Sequence, residues 1–364
     1  MTPRENVLSL YRRQGYEHAP VALSLCPSLE RKFKELSGGE VPIGEFLGYP
    51  EGFCLEGVAG PRLPEREPVD WARYFEGGLA EKTWVDEWGI AHEPGSEAAM
   101  HMTRMRHPME RFDSLEQMQA YPFPDYENAA TDHMAADIER VHERGLAAVA
   151  GMACTVWETS WYIRGMPQIM MDMVTDNPMA SWLLDKVTSS ACARAAAHAR
   201  AGCDVLALGD DIGMQSRMLM APEMWREWLK PRLAKVIASA RAVKPDVIVH
   251  YHSCGFVIPV IEDFIEIGID VLNPVQPECM DFAELHAEFG ERLSFDGTLG
   301  TQTTMPFGTP AEVREVVLRN LGIAGSKGGL LVSPTHLLEP EVPWENIAAY
   351  VAACREFKAA GPAG

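Results

Sequence analysis

From about residue 145 onward, short apolar runs alternate with longer segments in which apolar residues recur at helical spacing. In the runs Ala147 to Gly151 and Val205 to Gly209 every residue is apolar or glycine, with no alternating polar positions. Such runs predict parallel strands that helices cover on both faces. Further strands are predicted at Val21 to Leu25, Val247 to Tyr251, Val271 to Asn273, Leu293 to Phe295 and Leu330 to Val332.

The helices predicted between these strands follow from the periodicity and from proline and glycine at their ends. Pro222 to Ala242 is one long predicted helix with proline in its first turn, and Ile258 to Gly268 ends at a glycine. About seven or eight βα units favour an α/β fold of the (β/α)₈ TIM barrel type with an N-terminal extension, over an open doubly wound sheet. Other helices are predicted at Thr2 to Gln14, Pro167 to Val174, Met179 to Ala201, Phe282 to Phe289, Pro310 to Gly322 and Pro343 to Ala359.

The whole chain, 1–364, is expected to form one domain, with residues 1–80 as the extension and 81–360 as the barrel core. The stretch from Gly38 to Asp70 is rich in glycine and proline, which predicts surface loops. A short strand or hairpin is expected from Trp84 to His92, and a helical pattern begins near Asn128.

Composition and charge narrow the functional classes. The chain has 32 Lys and Arg against 52 Asp and Glu, a formal net charge of -20, which repels phosphate backbones and argues against nucleic acid as a partner. No apolar run approaches the ~20 residues of a membrane span, and the first residues lack the apolar core of a signal peptide. The cytoplasm is therefore the expected compartment, where the eight cysteines are expected to be thiols or metal ligands.

The carboxyl ends of the predicted strands carry polar side chains that a simple turn does not require. In a barrel these ends form the active site. Neither the dinucleotide motif G-x-G-x-x-G nor the phosphate-binding motif G-x-x-x-x-G-K-[ST] follows a predicted strand. The polar residues in question are Asp210 and Asp211, His252 and Cys254, Asn273 and Gln276, Asp296, and His336.

His252-Ser253-Cys254-Gly255 places an imidazole and a thiol near each other at a tight turn. Zinc favours nitrogen and sulfur ligands, and a catalytic zinc keeps three protein ligands and one open position. His336, at another strand end, is the best candidate for the third ligand, and His250 is an alternative because it is in phase with His252 on the strand. The simpler alternative is a buried cysteine and a hydrogen-bonded histidine without a metal.

Asp210 and Asp211 are candidate catalytic residues. Each carboxylate is suited to orienting a substrate cation, to acid–base catalysis or to holding a ligand histidine. The alternative is a helix N-cap followed by a solvated acid.

A second set of residues is predicted to bind substrate. An aromatic cluster after the strand at 147–150 is expected to form the floor of a pocket, although aromatic residues at helical spacing also pack in cores. Asparagine before proline is also a common turn. The set comprises Trp157, Glu158, Trp161, Tyr162, Asn273, Gln276 and Asp296.

Several segments, taken in this order, resemble the uroporphyrinogen decarboxylase superfamily. The resemblance covers roughly residues 80 to 355 well and the N-terminal part loosely. The segments are W-Y-I-R-G at 161–165, G-D-D-I-G-M-Q at 209–215, A-P-E-M-W-R-E-W-L-K-P-R at 221–232, H-S-C-G at 252–255, D-V-L-N-P-V-Q-P at 270–277, P-F-G-T-P at 306–310 and S-P-T-H-L-L-E-P-E-V-P-W-E-N at 333–346.

The resemblance implies a barrel fold and one of two chemistries. The metal-free decarboxylases hold a porphyrinogen with N-terminal arginines in a segment similar to W-x-M-R-Q-A-G-R, to which Arg12-Arg13-Gln14-Gly15 is the nearest run here. The zinc methyltransferases share the H-x-C pair, and their third ligand is commonly a cysteine near the C-terminus. In this chain His336 occupies the matching position.

The resemblance therefore implies a zinc-dependent methyltransferase that moves a methyl group between a small O-, N- or S-methyl substrate or thiol and a corrinoid or tetrahydrofolate carrier. Because the chain lacks the corrinoid-binding D-x-H-x-x-G motif, a partner protein would supply a corrinoid. Water, Glu158 or Asp211 is left open as the fourth zinc ligand. Because barrels often pair, a homodimer is a further expectation.

Two other functions remain open. The first is a metal-free lyase for a carboxylated substrate, which needs a cationic clamp for the carboxylates. The second is a carrier of a methylated or corrinoid ligand that performs no catalysis. The candidate arginines for the clamp are Arg104, Arg106, Arg164 and Arg217.

Overall fold

The computed structural model describes residues 1–39, 41–95 and 102–357. The predicted strands Val205–Gly209 and Val271–Asn273 have those bounds in the structure, and most others differ by one or two residues. The strands in chain order are β1 (Leu55–Val58), β2 (Trp84–Val85), β3 (Ala91–Pro94), β4 (Thr103–Arg106), β5 (Ala147–Ala153), β6 (Val205–Gly209), β7 (Ile248–His252), β8 (Val271–Asn273), β9 (Ser294–Asp296) and β10 (Leu330–Leu331).

Helices connect the strands, and many of them begin with proline in the first turn, where its missing N–H has no intrahelical partner to lose. The helices are α1 (Pro3–Tyr11), α2 (Pro27–Ser37), α3 (Ile43–Phe46), α4 (Leu115–Gln119), α5 (Met134–Glu143), α6 (Trp157–Arg164), α7 (Met166–Val174), α8 (Pro178–Ala201), α9 (Pro222–Trp228), α10 (Lys230–Arg241), α11 (Ile261–Ile267), α12 (Phe282–Phe289), α13 (Thr304–Phe307), α14 (Pro310–Ala324) and α15 (Trp344–Glu356).

Seven strands form one parallel sheet in the order β1-β5-β6-β7-β8-β9-β10. Each strand from β5 onward pairs with the next one in the chain, which is the topology of an α/β barrel. The register places Gly209 beside His252 and His252 beside Asn273, while Leu331 lies beside Asp296. The polar residues predicted at strand ends therefore lie along the same edge of the sheet.

The first barrel strand does not lie where the sequence predicts it. Val21 to Leu25 is extended, but its only strand-type pairing in the described chain is an isolated bridge from Leu25 to Leu338. The Val21 N–H also donates to the Gly52 carbonyl, so this segment spans the gap between the two edges of the sheet. The prediction of loops from Gly38 to Asp70 is wrong for β1. The sequence pattern does not indicate this strand, because it is half-buried and carries only two large apolar residues.

The long helix predicted from Pro222 to Ala242 is two helices. It breaks between Trp228 and Lys230, because Pro231 lacks a backbone N–H and its ring would clash with the carbonyl of Glu227 in a continuous helix. The helix expected near Asn128 begins only at Met134. The predicted end of the last helix at Ala359 lies outside the described residues.

Outside the barrel sheet, the predicted hairpin region forms a small antiparallel sheet in the order β2-β3-β4. None of the helices in the described ranges has both the length and the apolar character needed to cross a membrane.

A buried aspartate fastens α1 to the amino end of the barrel. Asp204 precedes β6 and accepts hydrogen bonds from Nε and Nη2 of Arg4, at 3.0 and 2.7 Å, and from the Ala148 N–H at 2.9 Å. The His142 ring lies 2.8 Å away. Burial raises the pKa of Asp204, but these hydrogen bonds outweigh it and leave the pKa below its ordinary value.

Candidate functional site

Three side chains converge at the carboxyl end of the sheet. The donor atoms of Asp211, His252 and Cys254 all lie within 4.8 Å of one another. His252 Nε2 lies 3.4 Å from Cys254 Sγ and 3.6 Å from Asp211 Oδ1. A carboxylate oxygen, an imidazole nitrogen and a sulfur are all ligands that zinc accepts.

Two glycines allow the loops that carry these side chains to touch. Gly255 has a φ of 83°, and a Cβ placed on it would lie 2.7 Å from the carbonyl carbon of Gly213. The close contact lets the Cys254 N–H donate to Asp211 Oδ1 at 2.8 Å. This contact explains why a glycine follows the cysteine in the H-S-C-G segment.

Asn273 sets the orientation of the His252 ring. Its amide oxygen lies 2.6 Å from Nδ1 of His252, so Nδ1 carries the proton and donates it to this bond. The lone pair of Nε2 then points towards Cys254 and Asp211. Burial lowers the pKa of His252, although Asp211 and Asn273 oppose the shift, and this favours the neutral ring that a metal requires.

The surroundings of Cys254 suit a cation. Burial, followed by the negative charges of Asp211 and Glu158, raises the pKa of Cys254 to about 12. Oε2 of Glu158 accepts a hydrogen bond from the Asp211 N–H at 3.1 Å, and Oε1 accepts one from the Tyr162 hydroxyl at 2.8 Å. A divalent ion between these donors would offset the two carboxylates and favour the thiolate. The residues of the site therefore fit a zinc ion.

His336 lies near this group but is not one of its three residues. Its side chain is exposed, and the centroid of its ring lies 6.4 Å from that of His252. Asp211 lies within reach of His252 and Cys254 because β6 and β7 are neighbours in the sheet, so the residues that follow these two strands meet. The assignment of His336 as a zinc ligand stays a prediction. His250 lies two residues before His252 on β7, and its Nε2 is 2.9 Å from Asp296 Oδ2.

Asp210 lies beneath the group and is 3% exposed. Its carboxylate oxygens accept hydrogen bonds from the N–H groups of Val156, at 3.1 Å, and Glu158, at 2.9 Å. Burial and the nearby Glu158 carboxylate raise the pKa of Asp210 to about 8. Its contacts thus fasten the start of α6, which carries Glu158.

Two adjacent cavities open at this end of the barrel. The mouth cavity, about 510 Å³, is lined by Cys254, Gln276 and His336 among others. The central cavity, about 370 Å³, is lined by His252, Asn273, Asp296 and again His336. Three residues predicted to bind substrate, Asn273, Gln276 and Asp296, therefore face space beside the group.

The predicted aromatic floor is not part of either cavity lining. Trp157 is completely buried, and Trp161 and Tyr162 are half-buried with their rings 4.2 Å apart. Of the predicted cluster, Glu158 is in direct contact with Asp211 through the hydrogen bond to its N–H.

Two further residues hold Asp296 in place, and the sequence does not predict either of them as a site residue. Ser333 donates to Asp296 Oδ1 at 2.6 Å, and the buried Tyr11 hydroxyl donates to Asp296 Oδ2 at 3.4 Å. Ser333 closely follows β10, so its place after a strand is a usable signal. Tyr11 comes from α1, and no local pattern indicates its contact with a strand end 285 residues away.

The model of the uroporphyrinogen decarboxylase (URO-D) family matches residues 89–357. The chain belongs to this family. The match spans α4 to α15 and every strand of the barrel sheet except β1, so it includes all three residues of the group.

Curated relatives are methyltransferases. The methylcobamide:CoM methyltransferase MtaA of Methanosarcina barkeri is 32% identical over 177 residues, 48% of each chain. The methylated-thiol–coenzyme M methyltransferase of Methanosarcina mazei is 26% identical over 234 residues, 61% of this chain and 57% of the relative. The chain thus spans about half the length of the curated relatives it matches.

A solved structure described as a methyltransferase from Methanosarcina mazei shares the fold. It superimposes with a TM-score of 0.67 over 98% of this chain and 99% of the other, at 19% sequence identity. The superposition agrees with the α/β barrel topology of the sheet. The curated relatives support the methyltransferase branch of the family.

Proposed function

We propose that this protein is a zinc-dependent methyltransferase that moves a methyl group between a small O-, N- or S-methyl substrate or thiol and a corrinoid carrier. The observation that carries the proposal is the convergence of Asp211, His252 and Cys254 at the mouth of the barrel. The names of the relatives supply the type of reaction. A corrinoid protein as partner and the cytoplasm as compartment belong to the same proposal.

Zinc held by these three residues would act as a Lewis acid towards the sulfur or oxygen of the bound substrate. Asn273 keeps the His252 ring in one tautomer, and the Cys254 N–H fixes the orientation of the Asp211 carboxylate. His336 lines both cavities, and we propose that it contacts substrate. Tyr162 donates a hydrogen bond to Glu158, whose carboxylate in turn accepts one from the Asp211 N–H.

The lyase alternative lacks the cationic clamp it requires. Neither the mouth cavity nor the central cavity has an arginine or lysine in its described lining. Arg164 is buried and pairs with Asp172, while Arg104 and Arg106 lie in the small antiparallel sheet. Arg13 bonds Ser294, the first residue of β9, and so lies at the opposite end of the barrel.

Methylcobalamin and 2-mercaptoethanesulfonate provide a direct assay, because loss of the methyl group changes the absorbance of the cobalamin. We expect zinc-loaded protein to transfer the methyl group and a chelator to stop the reaction until zinc is restored. Cys254→Ser should lower the rate at least about 100-fold, because it removes a proposed ligand. Cys279→Ser, another half-buried thiol at this end of the barrel, is the matched control. Full activity of the Cys254→Ser protein would contradict the proposal.

A further inference from the structure

A third cavity adjoins the two at the mouth of the barrel. It has a volume of about 630 Å³, and we call it the apolar compartment, after the side chains of Leu23, Leu25, Phe33, Ile43 and Leu337 in its lining. Leu337 lines all three cavities. Leu23 and Ser24 line both the compartment and the central cavity. The three spaces therefore adjoin one another beside the proposed metal group, and together we call them the groove.

The wall of the compartment is held in place by packing and by backbone hydrogen bonds. The Phe33 ring stacks on Trp344 with centroids 5.9 Å apart and meets Phe46 edge-on at 5.6 Å. The Leu338 N–H donates to the Ser24 carbonyl at 2.9 Å, which ties the extended segment to the loop after β10. The compartment is therefore formed before a ligand arrives, which favours binding.

The lining of the groove changes character along its length. Near Cys254 it carries glutamine, threonine and histidine side chains. The far end is walled by leucine, isoleucine and phenylalanine, and its two charged side chains, Glu30 and Lys34, are exposed. A cavity of about 150 Å³ lined by such residues already accepts benzene. An apolar group of ring size therefore matches the chemistry and the volume of the far end.

We propose that the apolar compartment holds the apolar part of the methylated substrate while its methyl-bearing heteroatom lies at the metal group. Residues 23–43 would then determine which substrates are accepted. These residues precede the part of the chain that matches the family model, so the preference would belong to this chain's own N-terminal segment. The inference rests on the proposed function, because it assumes that a methyl-bearing heteroatom is bound beside Cys254.

Methyl phenyl sulfide and dimethyl sulfide are matched probes, because they share the methyl–sulfur bond and differ only in the second group. Calorimetric titration of the zinc-loaded protein should give at least about tenfold tighter binding of the phenyl compound, since one well-placed apolar group provides this range of discrimination. In methyl transfer from the sulfides to cob(I)alamin, the CH₃–S bond breaks, a cobalt–methyl bond forms, and benzenethiolate or methanethiolate leaves. The kcat/KM of this reaction should likewise be higher for the phenyl compound.

Two variants alter the compartment in opposite ways. Ile43→Trp fills it, and we expect the ratio of the affinities for methyl phenyl sulfide and dimethyl sulfide to fall close to one. Phe33→Ala enlarges it, and we expect a gain in binding of methyl naphthyl sulfide, which a misfolded protein would not show. Leu36→Trp is the matched control, because Leu36 lies on the same helix as Phe33, is 50% exposed and does not line the cavity.

Equal affinity for the two sulfides in the unaltered protein, or a preference that survives Ile43→Trp, would overturn the inference. Tight binding of the phenyl compound by a protein that transfers no methyl group from methylcobalamin to 2-mercaptoethanesulfonate would support the compartment and contradict the proposed methyltransferase. The apolar compartment and the methyltransferase activity are therefore tested by different measurements.

Discussion

Gly255 joins the two loops that carry the proposed metal ligands. Its φ of 83° is one that residues with a side chain rarely adopt, and a Cβ there would lie 2.7 Å from backbone atoms of Gly213 and Met214. Any side chain at this position must push the Cys254 loop away from the Asp211 loop. The geometry of the group therefore depends on a residue that has no donor atom.

Replacing Gly255 with alanine should lower the affinity for zinc at least about tenfold, because positioning contacts of metal ligands have effects of this size. Competition with a chromophoric chelator measures this affinity. Gly322→Ala is the control, because nothing lies within 4 Å of its Cβ position in α14. We expect this change to leave zinc binding unaltered and to stabilise the protein by about 0.5–1 kcal/mol. Unchanged zinc affinity in Gly255→Ala would contradict the account of the loop contact.

His252 and Cys254 could be predicted as a pair because one strand end carries both, whereas the sequence offers Asp211 only as one of three candidates for a further ligand. Asp211 joins them through a contact between two loops that are 43 residues apart in the chain. His336 is the more attractive candidate by residue type, but its distance from the group depends on the path of the chain after β10, which no local pattern determines.

A buried carboxylate is one of the groups that attach helix α1 to the barrel. Asp204 accepts three hydrogen bonds from Arg4 and Ala148 and also contacts His142. Because the pKa of Asp204 is lowered on folding, its contribution to stability is present above its ordinary pKa of 3.8 and is lost as the pH falls through the lowered value.

Asp204→Asn should therefore destabilise the protein by about 2–3 kcal/mol at neutral pH, since hydrogen bonds to a charged group are lost from a buried site. The difference from the unaltered protein should shrink as the pH falls below about 4. Urea unfolding at several pH values measures both effects. Asp185→Asn removes an exposed ion pair with Arg232 and should change stability by less than about 1 kcal/mol. A pH-independent difference for Asp204→Asn would contradict the pKa argument.

The elements that could be predicted are those whose pattern of apolar residues is contained within a few consecutive positions. Continuous apolar runs indicate β6 and β8 correctly because both faces of these strands are covered. β1 could not be predicted, because only Leu55 and Val58 contribute large apolar side chains and neither is fully buried. The break at Pro231 was open to prediction, since proline in a helix interior removes a hydrogen bond.

At the scale of the whole molecule, parallel pairing in chain order places all strand ends together, and this brings distant polar residues to one mouth. The N-terminal segment completes that arrangement. It spans the gap between the sheet edges, and the hydroxyl of its Tyr11 donates a hydrogen bond to Asp296. Its side chains also form the wall of the apolar compartment. The family fold thus provides the residues of the proposed metal group, while side chains from the first 43 residues line the space beside it.

The proposed function requires that Asp211, His252 and Cys254 bind one zinc ion. X-ray absorption at the zinc edge, on protein loaded with one equivalent of zinc, tests this most directly. We predict one sulfur ligand at about 2.3 Å with nitrogen and oxygen ligands at about 2.0–2.1 Å, and loss of the sulfur signal in Cys254→Ser. A spectrum with only oxygen and nitrogen neighbours, or one that Cys254→Ser leaves unchanged, would contradict the account.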